Sequence, residues 1–349
     1  MLRSIRTAFA GLAVVGILLA APAKGLEGEP QFDHVAIVIL ENENFSTTWN
    51  PQNAPYLNGL RSQGVFADHY YAIGHVSLDN YIAMISGQPA LPHSMTDCLT
   101  LNLWTCVQPQ SLFSSGRNLA DQLEEAGFSW KGYMDSMPSP CFHQDYTPTA
   151  SIPDPYQGNS QTPPAKDYAD RHNPFIYFAD IVGNQARCEA HVRPYTDLAT
   201  DIANDSVPDF SFITPDTCHD GHDNPCSDGS VGGIAGADKW LSQNVPTLLS
   251  YLNAHHGLLV ITLDENGIID GQNPTDVGCC TGGLGGVLPG FGGRVGLVAL
   301  SPDLPATKVG TTVSTPYDHM SLLRTLEDSF GIAEHLNNAA TATPMSDVF

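Results

Sequence analysis

The sequence predicts an α/β protein, a single domain with a mostly parallel central sheet flanked by helices. Three observations predict it. Two runs, His34–Leu40 (HVAIVIL) and 258–263 (LLVITL), are continuously apolar and β-branched, the pattern of strands covered on both faces. Between and beyond them, shorter strand-like runs alternate with helical segments, the order that winds a parallel sheet. No internal repeat, low-complexity stretch or linker divides the 349 residues.

The chain opens with Arg3 and Arg6, an apolar run over 8–21 and the small-x-small sequence Ala21-Pro22-Ala23. That is the pattern of an export signal. Residues 1–23 are read as a signal peptide cleaved after Ala23, leaving 24–349 as one domain in a secreted or periplasmic protein. The first strand stops at Glu41-Asn42-Glu43-Asn44. A helical stretch over 55–62 and a second strand over 65–71 follow. Residues 78–85 (LDNYIAMI) read as a helix ending at Gly87, and 118–126 (NLADQLEEA) as another closed by Gly127. A strand is expected over 128–134. Residues 135–170 are rich in Pro, Ser and Tyr without periodicity, an excursion over the active-site face.

Residues 210–214 (FSFIT) return to strand character. The helical stretch 237–255 contains Pro246, which should break or kink it. After the strand 258–263 come Asp264-Glu265, a Gly-rich loop over 278–293 and a strand over 294–300. Pro316 is expected to open a last helix running through Phe330, with Gly331 after it.

Charge excludes several functions. Against 37 Asp and Glu stand 14 Lys and Arg, a net charge of −23. Such a body lacks the cations that displace counterions from nucleic acid, and it has no general affinity for anionic membranes. No stretch outside the signal reaches membrane-spanning length. Eight Cys in an exported chain point to cystines. Proximity suggests Cys98 with Cys106, Cys218 with Cys226, and Cys141 with Cys188. Cys279 and Cys280 then form a vicinal pair or each goes elsewhere.

Three constellations carry chemistry. Two buried strands end in Glu41-Asn42 and Asp264-Glu265, and the carboxyl ends of parallel strands gather on one edge. Their oxygens suit a divalent Mg, Ca or Mn ion. Ser77, in His75-Val76-Ser77-Leu78-Asp79-Asn80-Tyr81, opens a helix. It is either an N-cap or a hydroxyl nucleophile beside an anion-binding helix terminus. The turn TCHDGHD over 217–223 crowds His219, Asp220, His222 and Asp223, as an exposed loop or as metal or phosphate contacts. His172 and His319 are further candidates.

Taken in order, Glu41-Asn42, His75-x-Ser77-x-x-Asn80-Tyr81, His172-Asn173-Pro174-Phe175, Pro208-Asp209-Phe210, Asp220-Gly221-His222-Asp223, Asp264-Glu265, and His319 with Leu322-Leu323-Arg324-Thr325 resemble the bacterial phosphoesterase family that contains acid phosphatases and phospholipases C. The resemblance covers nearly all of 24–349 and implies a fold similar to the alkaline phosphatase superfamily. The ten positions from Ser77 to Gly87, spanning Asn80 and Tyr81, also match the nucleophile spacing of that superfamily's nucleotide phosphodiesterases.

The resemblance places a divalent metal on Glu41, Asn42, Asp264 and Glu265, with Ser77 as the nucleophile bridging metal and phosphorus. It puts His75, His222 and His319 on transferring or leaving oxygens, and Asn80, His172 and Asp223 in the substrate site. The implied activity is a secreted, metal-dependent acid phosphatase acting on phosphomonoesters, phosphoinositides included, through a phosphoserine. Small phosphate esters or phospholipid headgroups are its expected partners, with no nucleic acid. A phospholipase C-type phosphodiesterase is the alternative, and a non-catalytic exported binding protein is the third. With 13 His able to take up protons, mild acid would roughly halve the net charge, consistent with an acidic optimum.

Overall fold

The two apolar runs lie next to each other at the centre of an eight-stranded sheet. The computed structural model describes residues 25–28, 30–91, 94–98, 106–108, 116–143, 167–267, 278–280 and 291–349. Its strands are β1 (His34–Leu40), β2 (Val65–Ala67), β3 (Tyr70–Tyr71), β4 (Trp130–Met134), β5 (Val192–Pro194), β6 (Phe210–Thr214), β7 (Gly257–Leu263), β8 (Leu297–Leu300), β9 (Thr312–Val313) and β10 (Tyr317–Asp318). The order across the sheet is β5-β4-β6-β1-β7-β8-β2-β9. Strands β5, β4, β6, β1 and β7 pair in parallel, and β8 runs antiparallel between β7 and β2. The expected mostly parallel α/β sheet is therefore present, with one reversed strand.

Strand β1 is flanked by β6 through Val35↔Phe210 and by β7 through Val35↔Leu258. Every β7 residue is buried, as its unbroken apolar run requires when helices cover both faces. The helices Leu119–Ala126 and His319–Ser329 start at capping boxes, Asn118 with Asp121 and Asp318 with Ser321.

Several boundaries differ from those the sequence suggests. The stretch 65–71 is split between two sheets: β2 joins the large one, while β3 pairs with β10 through Tyr70↔Tyr317. Pro246 does not break its helix, which runs from Gly233 to Ala254. The lost amide bond is outweighed by the apolar stripe Leu241, Val245, Leu248 and Leu252, all buried. Pro316 does not open the last helix. It precedes β10, and the helix begins at His319 because Asp318 takes the capping position. Strand character over 294–300 is confined to Leu297–Leu300.

The disulfides are Cys98–Cys106, Cys141–Cys188, Cys218–Cys226 and Cys279–Cys280, the proximity pairing, with the vicinal alternative taken for the last two. Residues 1–23, expected from the sequence to be a signal peptide, residues 144–166 of the Pro-rich excursion and residues 281–290 of the Gly-rich loop lie outside the described residues. No helix among the described residues is long and apolar enough to cross a membrane.

Candidate active site

Because β6, β1 and β7 are adjacent and parallel, the residues that follow them meet at one edge. Glu41 follows β1, the turn 216–223 follows β6, and Asp264-Glu265 follow β7. Backbone bonds weld these ends together: Glu41 N–H donates to the Asp220 carbonyl at 2.9 Å, and Asp264 N–H to the Leu40 carbonyl at 2.9 Å. Gly221, at φ +112°, lets the turn pass against Glu41, where a Cβ would meet the Glu41 carbonyl oxygen at 3.0 Å.

The helix Ser77–Ser86 points its first residue at this edge. Ser77 is not a cap: the capping position is Val76, and no side chain there bonds the helix. Instead the buried Ser77 Oγ donates to Glu41 Oε2 at 3.0 Å. Glu41 is fully buried, and burial first, then the charges of Asp264 and Asp220, push its carboxyl well above the usual range. Asp220 is raised in the same way, chiefly by burial, and Asp264 is pushed up to about 7.

His172 joins them from the short 3₁₀ segment Asp170–His172. Its Nε2 lies 3.3 Å from Glu41 Oε1 and its Nδ1 3.2 Å from Asp220 Oδ2. Neither approach is a hydrogen bond. Glu41 Oε1, Asp220 Oδ2, Asp264 Oδ2 and both His172 nitrogens are buried without a hydrogen-bond partner among the described residues. One donor atom each from Glu41, His172 and Asp220 lies within 4.8 Å of the others. Buried polar atoms left unpaired cost free energy, and buried like charges cost more. Two carboxylate oxygens and an imidazole nitrogen gathered this closely, buried and without hydrogen bonds, are a donor set that fits a divalent cation.

The other predicted residues surround this core in different ways. Asn42, at φ +48°, contributes its backbone N–H, which donates to Asp264 Oδ1 at 3.2 Å. Glu265 pairs with half-buried His75, Nδ1 to Oε2 at 3.1 Å. Burial raises Glu265 well above its usual range and lowers the His75 imidazole. His222 is held by Asp223, whose Oδ1 accepts from Nδ1 at 2.8 Å and whose Oδ2 accepts from Thr217 at 2.9 Å. The His222 Nε2 accepts from Arg171 at 3.1 Å.

Two predicted residues are turned to structural work. Asn80 Oδ1 accepts from Ile73 and Gly74 N–H, and its Nδ2 donates to the Gly74 and Val76 carbonyls, so all four bonds brace the loop that carries His75. His319 is fully buried behind Asp264. Its Nε2 donates to the Asp264 carbonyl at 2.6 Å and its Nδ1 accepts from the Tyr70 hydroxyl at 3.0 Å. Burial holds its pKa down to about 4.

The ligand set implied by the resemblance left out Asp220, which the turn pattern alone offered, and His172, which it put in the substrate site, and Arg171 was not singled out. Asp220 stood in plain view, two residues from His222. Arg171 precedes His172, and its charge lowers the carboxyls of Glu41, Asp97, Asp220 and Glu265. One guanidinium thus acts on four carboxylates of the acidic cluster.

The phosphoesterase family model matches residues 41–333. A phosphatidylinositol-3-phosphatase of Mycobacterium tuberculosis is 24% identical, over 99% of this chain and 96% of that protein. A probable acid phosphatase of Kluyveromyces lactis is 27% identical over 91% of this chain, and the alignment spans only 65% of the yeast protein. Among solved structures, a protein of the alkaline phosphatase superfamily from Vibrio parahaemolyticus superimposes with a TM-score of 0.55 at 12% identity, over 93% of this chain and 74% of that one. At that identity the likeness is one of fold.

Proposed function

Given that this chain belongs to the phosphoesterase family, we propose that it is a hydrolase of phosphate esters, an acid phosphatase of phosphomonoesters with Ser77 as its nucleophile. The observation that carries this reading is the Ser77 hydroxyl bonded to Glu41 at the point where Glu41, His172, Asp220 and Asp264 leave buried atoms unpaired. A divalent cation held by Glu41, Asp264, Asp220 and His172 would supply acidification of the serine hydroxyl and charge neutralisation at phosphorus. Asn42 and Glu265 serve that set from beside it, through the Asp264 carboxylate and through His75.

The chain's own groups do the rest. Glu41 orients Ser77 Oγ and accepts its hydrogen, leaving the oxygen lone pairs free to attack phosphorus in line. Arg171 offers a fixed guanidinium for phosphoryl oxygens. His75, whose Nδ1 is fixed by Glu265, is the half-buried imidazole available to protonate the leaving oxygen, while His222, fixed by Asp223, accepts from Arg171 and holds that guanidinium in place. His319 acts as a positioning residue, holding the Asp264 backbone. Water then releases phosphate from the seryl ester.

The near end-to-end match to the mycobacterial relative makes a phosphoinositide monoester the first natural substrate class to test. Product analysis on phosphatidylcholine, a phosphatidylinositol phosphate and a simple monoester separates this from phospholipase C-type cleavage. Four disulfides favour an oxidising compartment, supporting the export proposed for residues 1–23. The direct test is Ser77→Ala with p-nitrophenyl phosphate. Turnover should fall at least about 10³-fold, and a phosphoseryl peptide containing Ser77 should be trapped only from the wild type. Near-normal turnover by the variant would remove Ser77 from the mechanism.

A further inference from the structure

The helix that carries Ser77 is capped from outside. With Val76 contributing no side-chain cap, the Leu78 N–H, adjacent to the nucleophile, donates to Asp97 Oδ1 at 2.9 Å. The other oxygen of that carboxylate, Oδ2, lies 3.8 Å from Arg171 Nε. One carboxylate therefore spans the amide beside Ser77 and the guanidinium that faces the acidic cluster. Asp97 stands at φ +50° and Cys98 at φ +62°, next to the Cys98–Cys106 disulfide, so the backbone is bent to deliver this side chain.

The placement is electrostatically poor for a cap alone. Asp97 raises the carboxyls of Asp79, Asp264 and Glu265, and it shares the Arg171 guanidinium with Glu265. A Ser or Asn would cap the same amide without adding a negative charge. What the position does match is a tetrahedral oxyanion. It has a backbone N–H at the positive end of a ten-residue helix, a guanidinium opposite, and the Ser77 hydroxyl next in sequence.

We propose that Asp97 is an internal stand-in for the phosphoryl group. Its carboxylate fills the anion site between Leu78 N–H and Arg171, a phosphate ester must displace it, and Arg171 then takes the phosphoryl oxygens. The proposal rests on the phosphoesterase reading and names how that same site admits its substrate.

Inorganic phosphate is the probe, read as a competitive inhibitor of p-nitrophenyl phosphate hydrolysis and by calorimetry on the metal-supplemented protein. Asp97→Asn keeps a cap acceptor and loses the charge, so the phosphate Ki and Kd should both fall about tenfold, with an unchanged melting temperature. Asp97→Ser should do the same if the Asn variant folds poorly. Arg171→Lys should raise both constants about tenfold, and in the double variant most of the gain from Asp97→Asn should disappear.

Unchanged or weakened phosphate binding in both Asp97 variants would overturn the proposal, as would loss of bound metal on making Asp97→Asn. If the wild type turns over phosphate esters while Asp97→Asn leaves phosphate binding unmoved, this inference alone fails. If the wild type neither hydrolyses phosphate esters nor binds phosphate, the reading beneath it fails as well.

Discussion

Around Arg187, on the outer flank of the sheet, Asp121, Glu124 and Asp180 all bond one guanidinium, with Asp121 at 2.8 Å and Glu124 at 3.0 Å. Nearby, Lys131 meets Asp201 at 2.6 Å and Arg193 meets Asp197 at 2.8 Å. At the ends of β1, β6 and β7, by contrast, Glu41, Asp220 and Asp264 face one another, with the Arg171 guanidinium acting on Glu41 and Asp220. Both regions are acidic, but only in the first does a Lys or Arg bond each of these acids directly. A fold able to pair its acids on one flank leaves them unpaired, and fully buried, at the sheet's central edge, where under the proposed function a bound cation would supply the missing positive charge.

The largest way to break that contrast is to remove charge from the unbalanced side. Glu41→Gln and Asp264→Asn should each lower kcat/KM about 10²- to 10³-fold and weaken metal binding, because each deletes an oxygen donor and, for Glu41, the partner of Ser77. The same changes should raise the melting temperature of the chelator-treated protein by a few degrees, since they relieve buried repulsion. A variant that loses activity and also loses metal-free stability would make these carboxylates structural instead.

Much of this site was legible in the sequence because it sits at the ends of fully apolar strands. Strands β1 and β6 fall where their residue patterns place them, so Glu41 and the turn after Thr214 were fixed to within a residue. What the pattern does not carry is orientation. Asp264 turns into the cluster while its neighbour Glu265 turns to His75, and Asn42 contributes an amide hydrogen where a side-chain oxygen was expected. His319 sat in a motif and is buried against a carbonyl, whereas Arg171 and Asp97 lie in irregular segments with no periodicity to aim them. The boundaries that moved, at Pro246 and Pro316, are places where tertiary packing or a stronger cap overrides a local proline signal.

pH sharpens the comparison next. Asp264, with an ordinary value near 3.8 and a folded value of about 7, holds its proton in the folded protein over a range where the unfolded chain has lost it. Each acid raised this way makes the metal-free fold less stable as pH climbs from about 4 toward its folded value. The buried imidazoles, such as His319 at about 4, act in the opposite direction only below about 6.5. From pH 6.5 upward the acids act against the fold unopposed. Thermal melts in chelator should therefore fall across this range, added divalent metal should restore the loss increasingly with pH, and Asp264→Asn should flatten the part below pH 7. A metal-free melting temperature that rises with pH there would contradict the raised carboxyls.

On the balanced flank the signs reverse. Arg187→Ala leaves Asp121, Glu124 and Asp180 without their shared cation, so stability should drop by about 1–3 kcal/mol in denaturant unfolding. Phosphate-ester turnover should be unchanged within about twofold. Equal losses in stability and turnover would mean that the two regions are coupled.

His219 tests where the boundary between the regions lies. It shares a turn with Asp220, yet its Nδ1 is 2.9 Å from both Asp135 and Asp216, which clamp the ends of β4 and β6. Those hydrogen bonds lift its pKa to about 10, above its unfolded value. The stabilisation from the imidazolium is therefore complete below about pH 6.5 and is lost as pH rises toward 10. Because the side chain is 41% exposed and screened by water, the loss in His219→Ala should stay under about 1 kcal/mol at pH 6 and vanish near pH 10. Turnover should hold within about threefold, since neither carboxylate that His219 bridges belongs to the unpaired cluster. A tenfold fall in kcat/KM with stability intact would move His219 across the boundary and extend the catalytic edge along the turn to Asp216.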